Sequence, residues 1–431
     1  MNAPGAGAGG RTPPRPAVPP ERRTRRDLAT SVIIAVVMVA VASTVLLTGS
    51  AARSEFAAAE VEQPVYGPAD ERPTELRHLW SHESADTGAP LTTRGNLVTV
   101  DPDGTLVGRD AGSGDAVWSY SHAGRLCSAT FYADILAAAF DGAAGCSDVT
   151  ALDPTTQQYS HTRQSAFPAE MSLRSTWRHT LAFSTERLEI WRDDLVRTVE
   201  YGAVDAPQEP AMQPRTGCSL ISADLTDERF AVSERCPGDD SVRLTISETV
   251  PEDNRIPEDI ASDVTGADGV WVLGIRDHGV LALVNRGADW AVEWFETPDR
   301  HTTVLPLPHE PRLTPTPDTV TRDHNQVRWF DGAATHAFDM AAHAHDWTVA
   351  DTSGPGLTGG WSPDPDTDAG SDWVVLPIGD GFAVVDHADG REQRRFEVHA
   401  GAAHHPTGLS QVGDILYERR DGVIHAYKLE F

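Results

Sequence analysis

The side chains of this 431-residue chain whose types and spacing could do chemistry are four cysteines, an acidic loop and a group of histidines. Cys127 and Cys146 stand 19 positions apart, and Cys218 and Cys236 stand 18 apart. Cys127 opens the run CSATFY, and Cys146 follows the next apolar run. Cys218 opens CSLIS, and Cys236 closes RFAVSERC. The two pairs take equivalent places in two repeats. Antiparallel neighbours put the start of one strand beside the end of the next, which supports Cys127–Cys146 and Cys218–Cys236 over the other two connectivities. A zinc centre needs close pairs such as Cys-x2-Cys, and the chain has none. Each bridge closes a short loop worth about 3 kcal/mol in the chain-entropy account.

The acidic loop is SPDPDTDAGSD, with Asp364, Asp366, Asp368 and Asp372. Alternating oxygen ligands suit calcium, but the helix-loop-helix calcium pattern asks for Gly at its sixth position and Glu at its twelfth. Ala369 and Val375 stand there, so a solvated acidic loop is the reading. His336, His343 and His345, with Asp346, could ligate a metal. Residues two apart on a strand share a face, yet surface histidines are the default. Serine, histidine and aspartate abound, but no Gly-x-Ser-x-Gly elbow occurs. No catalytic, cofactor-binding or metal-binding residue is assigned.

The elements that would position these residues are β-strands. Leu97 to His122 reads LVTVDPDGTLVGRDAGSGDAVWSYSH, three short strands in a row. Asp103-Gly104 is a two-residue hairpin signal of the type I′ kind. Glycines 112 and 114 mark the second turn, and Trp118 sits on the third strand. Asp-Gly pairs recur at 141–142, 268–269, 331–332, 380–381, 389–390 and 421–422. A meander this short cannot bury its own faces and must stack on copies of itself. The copies recur about every 40–45 residues, the period of a four-stranded propeller blade. The expected fold is all-β, a β-propeller of eight such blades with seven as the alternative, preceded by one transmembrane helix. The last unit, Ile415 to Tyr427, lacks an outer strand. Leu79-Trp80-Ser81-His82 resembles Val117-Trp118-Ser119-Tyr120, so Leu76 to His82 is expected to complete the last blade and close the ring.

On these residues a family resemblance rests. Thr105 to Trp118, TLVGRDAGSGDAVW, resembles the repeat of the pyrroloquinoline-quinone-like (PQQ-like) propeller superfamily: a strand, Asp110, a Ser113-Gly114 turn, and Trp118 four residues after the glycine. Ala151 to Thr155 matches the first half, with Gln157 where glycine should be, and Asp389-Gly390 with Phe396 is a fainter copy. The resemblance implies that Asp110, Gly114, Trp118 and its counterpart Trp80 are structural, with the tryptophan packed between blades. Quinone-dependent dehydrogenases of that family often carry a disulfide of adjacent cysteines, which this chain lacks. A non-enzymatic envelope scaffold is nearer to its features, and no cofactor is expected.

Charge and hydropathy set the context. The formal net charge is −29. Residues 1–27 hold six arginines against Glu21 and Asp27, or +4, leaving −33 on the remainder. An acidic body argues against nucleic acid. Residues 1–27 read as a disordered basic cytoplasmic tail. Residues 28–49 read as an uncleaved transmembrane signal anchor, because about 20 uncharged residues can span the hydrocarbon core and the preceding arginines stay inside. A cleaved signal peptide, cut near Ala51 or Ala52, is the alternative. Residues 50–74 read as an extracytoplasmic linker and 75–431 as the propeller. The expected role is binding a cell-envelope protein or glycan. An extracytoplasmic enzyme using two carboxylates in an aromatic-walled central channel is the alternative.

Overall fold

A computed structural model describes residues 24–58, 66–67, 69–85, 88–93, 95–204, 212–276, 279–297, 300–323, 325–360, 371–399, 401 and 403–431. It divides into two units, residues 1–53 and 54–431. In the first, helix α1 spans Arg25–Thr48, 24 residues and about 36 Å at 1.5 Å per residue. Thr24 caps it: its hydroxyl accepts from Asp27 N–H at 3.2 Å, and the Asp27 carboxylate accepts from Thr24 N–H at 2.7 Å. Isoleucines, valines and leucines are exposed on every side of α1, the composition of a helix suited to lipid.

The second unit is an eight-bladed β-propeller. Blades 1 to 7 span 91–121, 126–164, 172–202, 219–264, 269–307, 320–350 and 357–397. Blade 8 joins 408–430 to the strand Glu75–Glu83. Each blade has four antiparallel strands, a to d from the centre outward, in chain order in blades 1 to 7, and the a strands of blades 8 and 1, 1 and 2, 2 and 3, and 4 and 5 touch around the centre. Glu75–Glu83 pairs with Val423–Glu430 from Glu75↔Glu430 to Glu83↔Val423. The N-terminal strand therefore closes the ring, as the sequence predicts. Eight apolar clusters fill the eight seams between blades. Strands such as Asn96–Val100, Gln326–Phe330 and Trp373–Ile378 are buried at every position. They face a neighbour on both sides; Trp373–Ile378 reads as an unbroken apolar run, while the other two bury Asn96, Thr99, Gln326 and Arg328 among apolar residues. The outer Gln158–Gln164 and Glu392–Glu397 are mostly exposed and polar.

Two expectations change. Asp103-Gly104 is not a two-residue type I′ turn. Only Gly104 is at positive φ (87°), while Asp101 N–H bonds to Thr105 O at 2.9 Å and the Asp103 carboxylate accepts from Thr105 N–H. The aspartate caps the loop instead of entering the left-handed region. Asp421-Gly422 does have both φ values positive (49° and 84°). Residues 50–74, expected as a linker, contain the strand Glu55–Ala57, which pairs with Ala116–Ser121 as a fifth strand of blade 1. Phe56 explains it: its ring lies 5.8 Å from Trp118, 6.0 Å from Tyr120 and 5.8 Å from Tyr159. These edge contacts and the strand pairing with Ala116–Ser121 offset part of the entropy of ordering the segment.

Candidate functional site

The blade motif has a structural duty. The Asp110 carboxylate accepts from the N–H groups of Gly112 (3.0 Å) and Ser113 (2.8 Å), shaping the turn between strands c and d. Gly114 follows at φ 77°, and a Cβ there would lie 2.6 Å from the Trp80 ring. Trp80 Nε1 donates to Ala111 O at 3.3 Å. Trp80 thus docks blade 8 onto blade 1. Trp347 repeats the arrangement between blades 6 and 7, donating to His387 O at 2.9 Å over Gly390. Trp118 lies over Gly108 of its own blade and joins the blade 1/2 cluster. Its Nε1 has no hydrogen bond, and the facing turn carries Gln157 (φ 54°) instead of glycine.

The cysteines pair as Cys127–Cys146 and Cys218–Cys236. Each bridge lies at the blade end where strands a and c begin and strand b ends, so both brace one face of the ring. The sulfurs lie near the carboxylates of Asp141 and Glu234, but as disulfides they offer no thiolate to a metal. The histidines are absorbed by packing. His336 is buried, bonds Asp331 (3.2 Å) and Thr348 (2.9 Å), and leans on Trp329. His343 stacks on Trp294 at 3.9 Å, and His345 bonds Thr348. Asp346 accepts from Gln326. Of the acidic loop, Asp364, Asp366 and Asp368 lie outside the described residues, and Asp372 pairs with Arg72 at 2.9 Å.

What sequence reasoning missed is at the channel. Asp224 on strand a of blade 4 is buried, and its Oδ1 takes Arg174 of blade 3 at 3.1 Å and Arg322 of blade 6 at 2.6 Å. Arg322 Nε also donates to Leu273 O of blade 5 at 3.2 Å. Burial pushes the Arg322 guanidinium down to about 10, with the Asp224 charge opposing the shift. This triad ties four blades together across the channel. Above it runs the connection from blade 5 to blade 6, residues 308–319. Leu313 N–H is held by Asp331 O, and Thr316 N–H by the Thr319 hydroxyl at 2.9 Å. Pro317 lines two cavities, of about 630 Å³ and about 140 Å³, so this segment partitions the channel mouth.

The larger cavity opens on the disulfide-braced face, among blades 1 to 3. Its walls include Leu91, Val100, Leu126, Met171 and Leu173, and Cys127 of the first disulfide. Its charged groups are Asp101, Asp103, Arg125 and Asp318. Arg125 is paired with Asp141 at 3.0 Å, Asp101 lies 3.8 Å from Arg109, and Asp103 caps its own loop. Asp318 has no hydrogen-bond or ion-pair partner among the described residues. Burial pushes its carboxyl above the ordinary value, against the pull of the Arg419 and Arg174 charges. Among the described residues, no aromatic side chain lines this cavity.

No family model matches the chain, and no curated protein sequence matches it. Among solved structures, the C-terminal WD40 domain of Sif2 aligns with 84% of this chain and 100% of its own, at 9% identity and a TM-score of 0.50. BamB from Moraxella catarrhalis aligns with 82% of this chain and 100% of its own, at 12% identity and a TM-score of 0.46. At such identities the likeness is one of fold alone, the β-propeller.

Proposed function

We propose that this chain is a membrane-tethered scaffold whose propeller, outside the cytoplasm, binds a cell-envelope protein or glycan through its disulfide-braced face. The observation that carries this reading is a convergence on that face. Both disulfides and the 630 Å³ cavity lie there, on loops held by a closed ring. A preformed concave surface on a rigid support loses little entropy on binding. The tether is α1, apolar on all sides and preceded by arginines that favour a cytoplasmic N-terminus. Disulfides fit an oxidising compartment. The acidic body disfavours nucleic acid and favours cationic partners. The glycan-hydrolase alternative asks for two free carboxylates between aromatic walls. The cavity has no aromatic wall, and Asp224 is held by two arginines.

Crosslinking in intact cells, followed by mass spectrometry of the affinity-purified, membrane-extracted chain, tests the proposal. The expected result is one recurrent envelope partner, with crosslinks on the braced face. Recovery of a small molecule or metal and no partner would overturn it in favour of an enzyme or sensor.

A further inference from the structure

We propose that the 630 Å³ cavity seats a basic side chain, arginine or lysine, presented by a loop of the partner protein, with Asp318 as its counter-ion. This deepens the binding role proposed above and rests on it. Three observations carry it. The first is shape: the cavity has the volume of a small-ligand pocket. The wall residues Leu91, Met171 and Leu173 suit the methylene stem of a long basic side chain. The second is charge. Among the charged groups of the lining, Arg125 and Asp101 already have partners and Asp103 caps a turn, whereas Asp318 is unpaired among the described residues. A half-buried carboxylate without a donor gains most from an incoming cation. The neighbouring Arg174 is committed to Asp224 at 3.1 Å. The third is backbone. Gly88, at φ 91°, lies so close that a Cβ would stand 2.7 Å from Asp318 Oδ1. A side chain at residue 88 would crowd the carboxylate, so glycine keeps Asp318 Oδ1 in its observed place at the cavity wall. The net charge of −29 steers a basic loop towards the molecule from a distance.

The test uses the full-length chain in detergent and two probes, acetyl-Ala-Arg-Ala amide and its citrulline twin, which keeps the shape and removes the charge. Binding is read by saturation-transfer NMR, and partner capture by the crosslinking experiment above. The arginine peptide is expected to bind, with about tenfold or greater loss for the citrulline twin and for Asp318→Asn, the factor of one charge-assisted hydrogen bond. Ala89→Trp, which fills the cavity from its exposed rim and leaves Asp318 intact, should abolish binding. Equal binding of the two peptides, or arginine binding unchanged in both variants, overturns the proposal. If a partner is captured equally by wild type and both variants, the cation seat fails and the scaffold role stands. If no partner is captured but the arginine peptide binds through Asp318, the seat stands and the scaffold role fails.

Discussion

Two seams of the ring solve the same docking problem with different chemistry. Between blades 6 and 7, Trp347 lies over Gly390 and donates to His387 O. Between blades 2 and 3, His161 stands at the tryptophan's register, opposite Ala151 as Trp347 is opposite Ala337, and Arg163, two residues further along strand d, reaches the facing turn and donates to Leu195 O at 3.3 Å. Its second hydrogen bond goes to the fully buried Glu189 at 2.8 Å. Glu189 also receives Arg187 (2.5 Å), Trp191 Nε1 (2.7 Å) and the Ser165 hydroxyl (2.8 Å). The indole of Trp347 makes an apolar contact with one hydrogen bond, and the same seam is also held by Gln326 donating to His387 O (3.0 Å) and by Asp323 accepting from Thr358 (2.7 Å) and bonding His387 (3.0 Å). The arginine seam centres on a buried carboxylate that receives four donors, and breaking it leaves buried charges unpaired. A fold can thus keep the geometry of a contact and change its chemistry, with different sensitivity to mutation and pH.

Breaking the network should have the largest effect. Glu189→Ala leaves Arg163, Arg187 and Trp191 without their acceptor and should cost about 3–5 kcal/mol, read by chemical denaturation. The pH dependence follows. Burial would raise the Glu189 carboxyl, but the Arg163 and Arg187 charges and the hydrogen bonds from Arg187 and Trp191 outweigh it and hold it below the ordinary glutamate value of 4.5. Its contribution is present above that value and is lost as pH falls below it. Wild type should therefore lose more stability than Glu189→Ala on acidification from pH 5 to 3.

Trp347→Ala should come next, at about 3 kcal/mol from lost packing. Unlike the Glu189 loss, it should be the same at pH 7 and pH 4 in thermal melts. Gly390→Ala should cost roughly 1–2 kcal/mol, because Gly390 sits at φ 68° and a Cβ would meet the Trp347 ring at 2.6 Å. The double variant Trp347→Ala/Gly390→Ala should cost less than the sum of the two, since the clash disappears with the indole.

A second buried glutamate sharpens the contrast. Glu234 in blade 4 receives Tyr201 OH at 2.6 Å, Thr245 at 3.0 Å and Arg215 at 3.1 Å, all on Oε1, while Oε2 is buried without a partner. Burial raises its carboxyl above 4.5 despite these bonds. A raised carboxyl works in the opposite sense: its stability is full below 4.5 and is lost as pH rises through the folded value. Glu234→Gln keeps an acceptor at Oε1 and should cost under about 1 kcal/mol at pH 7, far less than Glu189→Gln. The smallest effect is expected at the cavity. Asp318→Asn removes a carboxylate that burial disfavours. It should raise the melting temperature slightly at pH 7 and leave it unchanged at pH 3, where the aspartate is already neutral.

Much of the ring was legible in the residues. The strand runs, the blade count and the closure of blade 8 by Leu76 to His82 all follow from patterns a few residues long, whereas Asp-Gly pairs did not all mark the turns: Asp141-Gly142 ends a strand. Such patterns act locally: an aspartate caps the turn that follows it, and only some residues tolerate positive φ. The Asp110-to-Gly114 turn could be named because both effects operate within five positions. The role of Arg163 was hidden, because its partner Glu189 lies 26 positions away in another blade. Phe56 was hidden too, since a three-residue strand has no period to detect. The Arg174–Asp224–Arg322 triad and the cavity at Asp318 were beyond sequence reasoning altogether. Their members come from different blades, and no local spacing relates them. Sequence by itself determined the strands, the turns and the number of blades, because those depend on short-range backbone preference and apolar run length. Only the tertiary structure decided which charges meet in the seams and across the channel, because closing the ring is what brings residues distant in the chain within hydrogen-bonding reach.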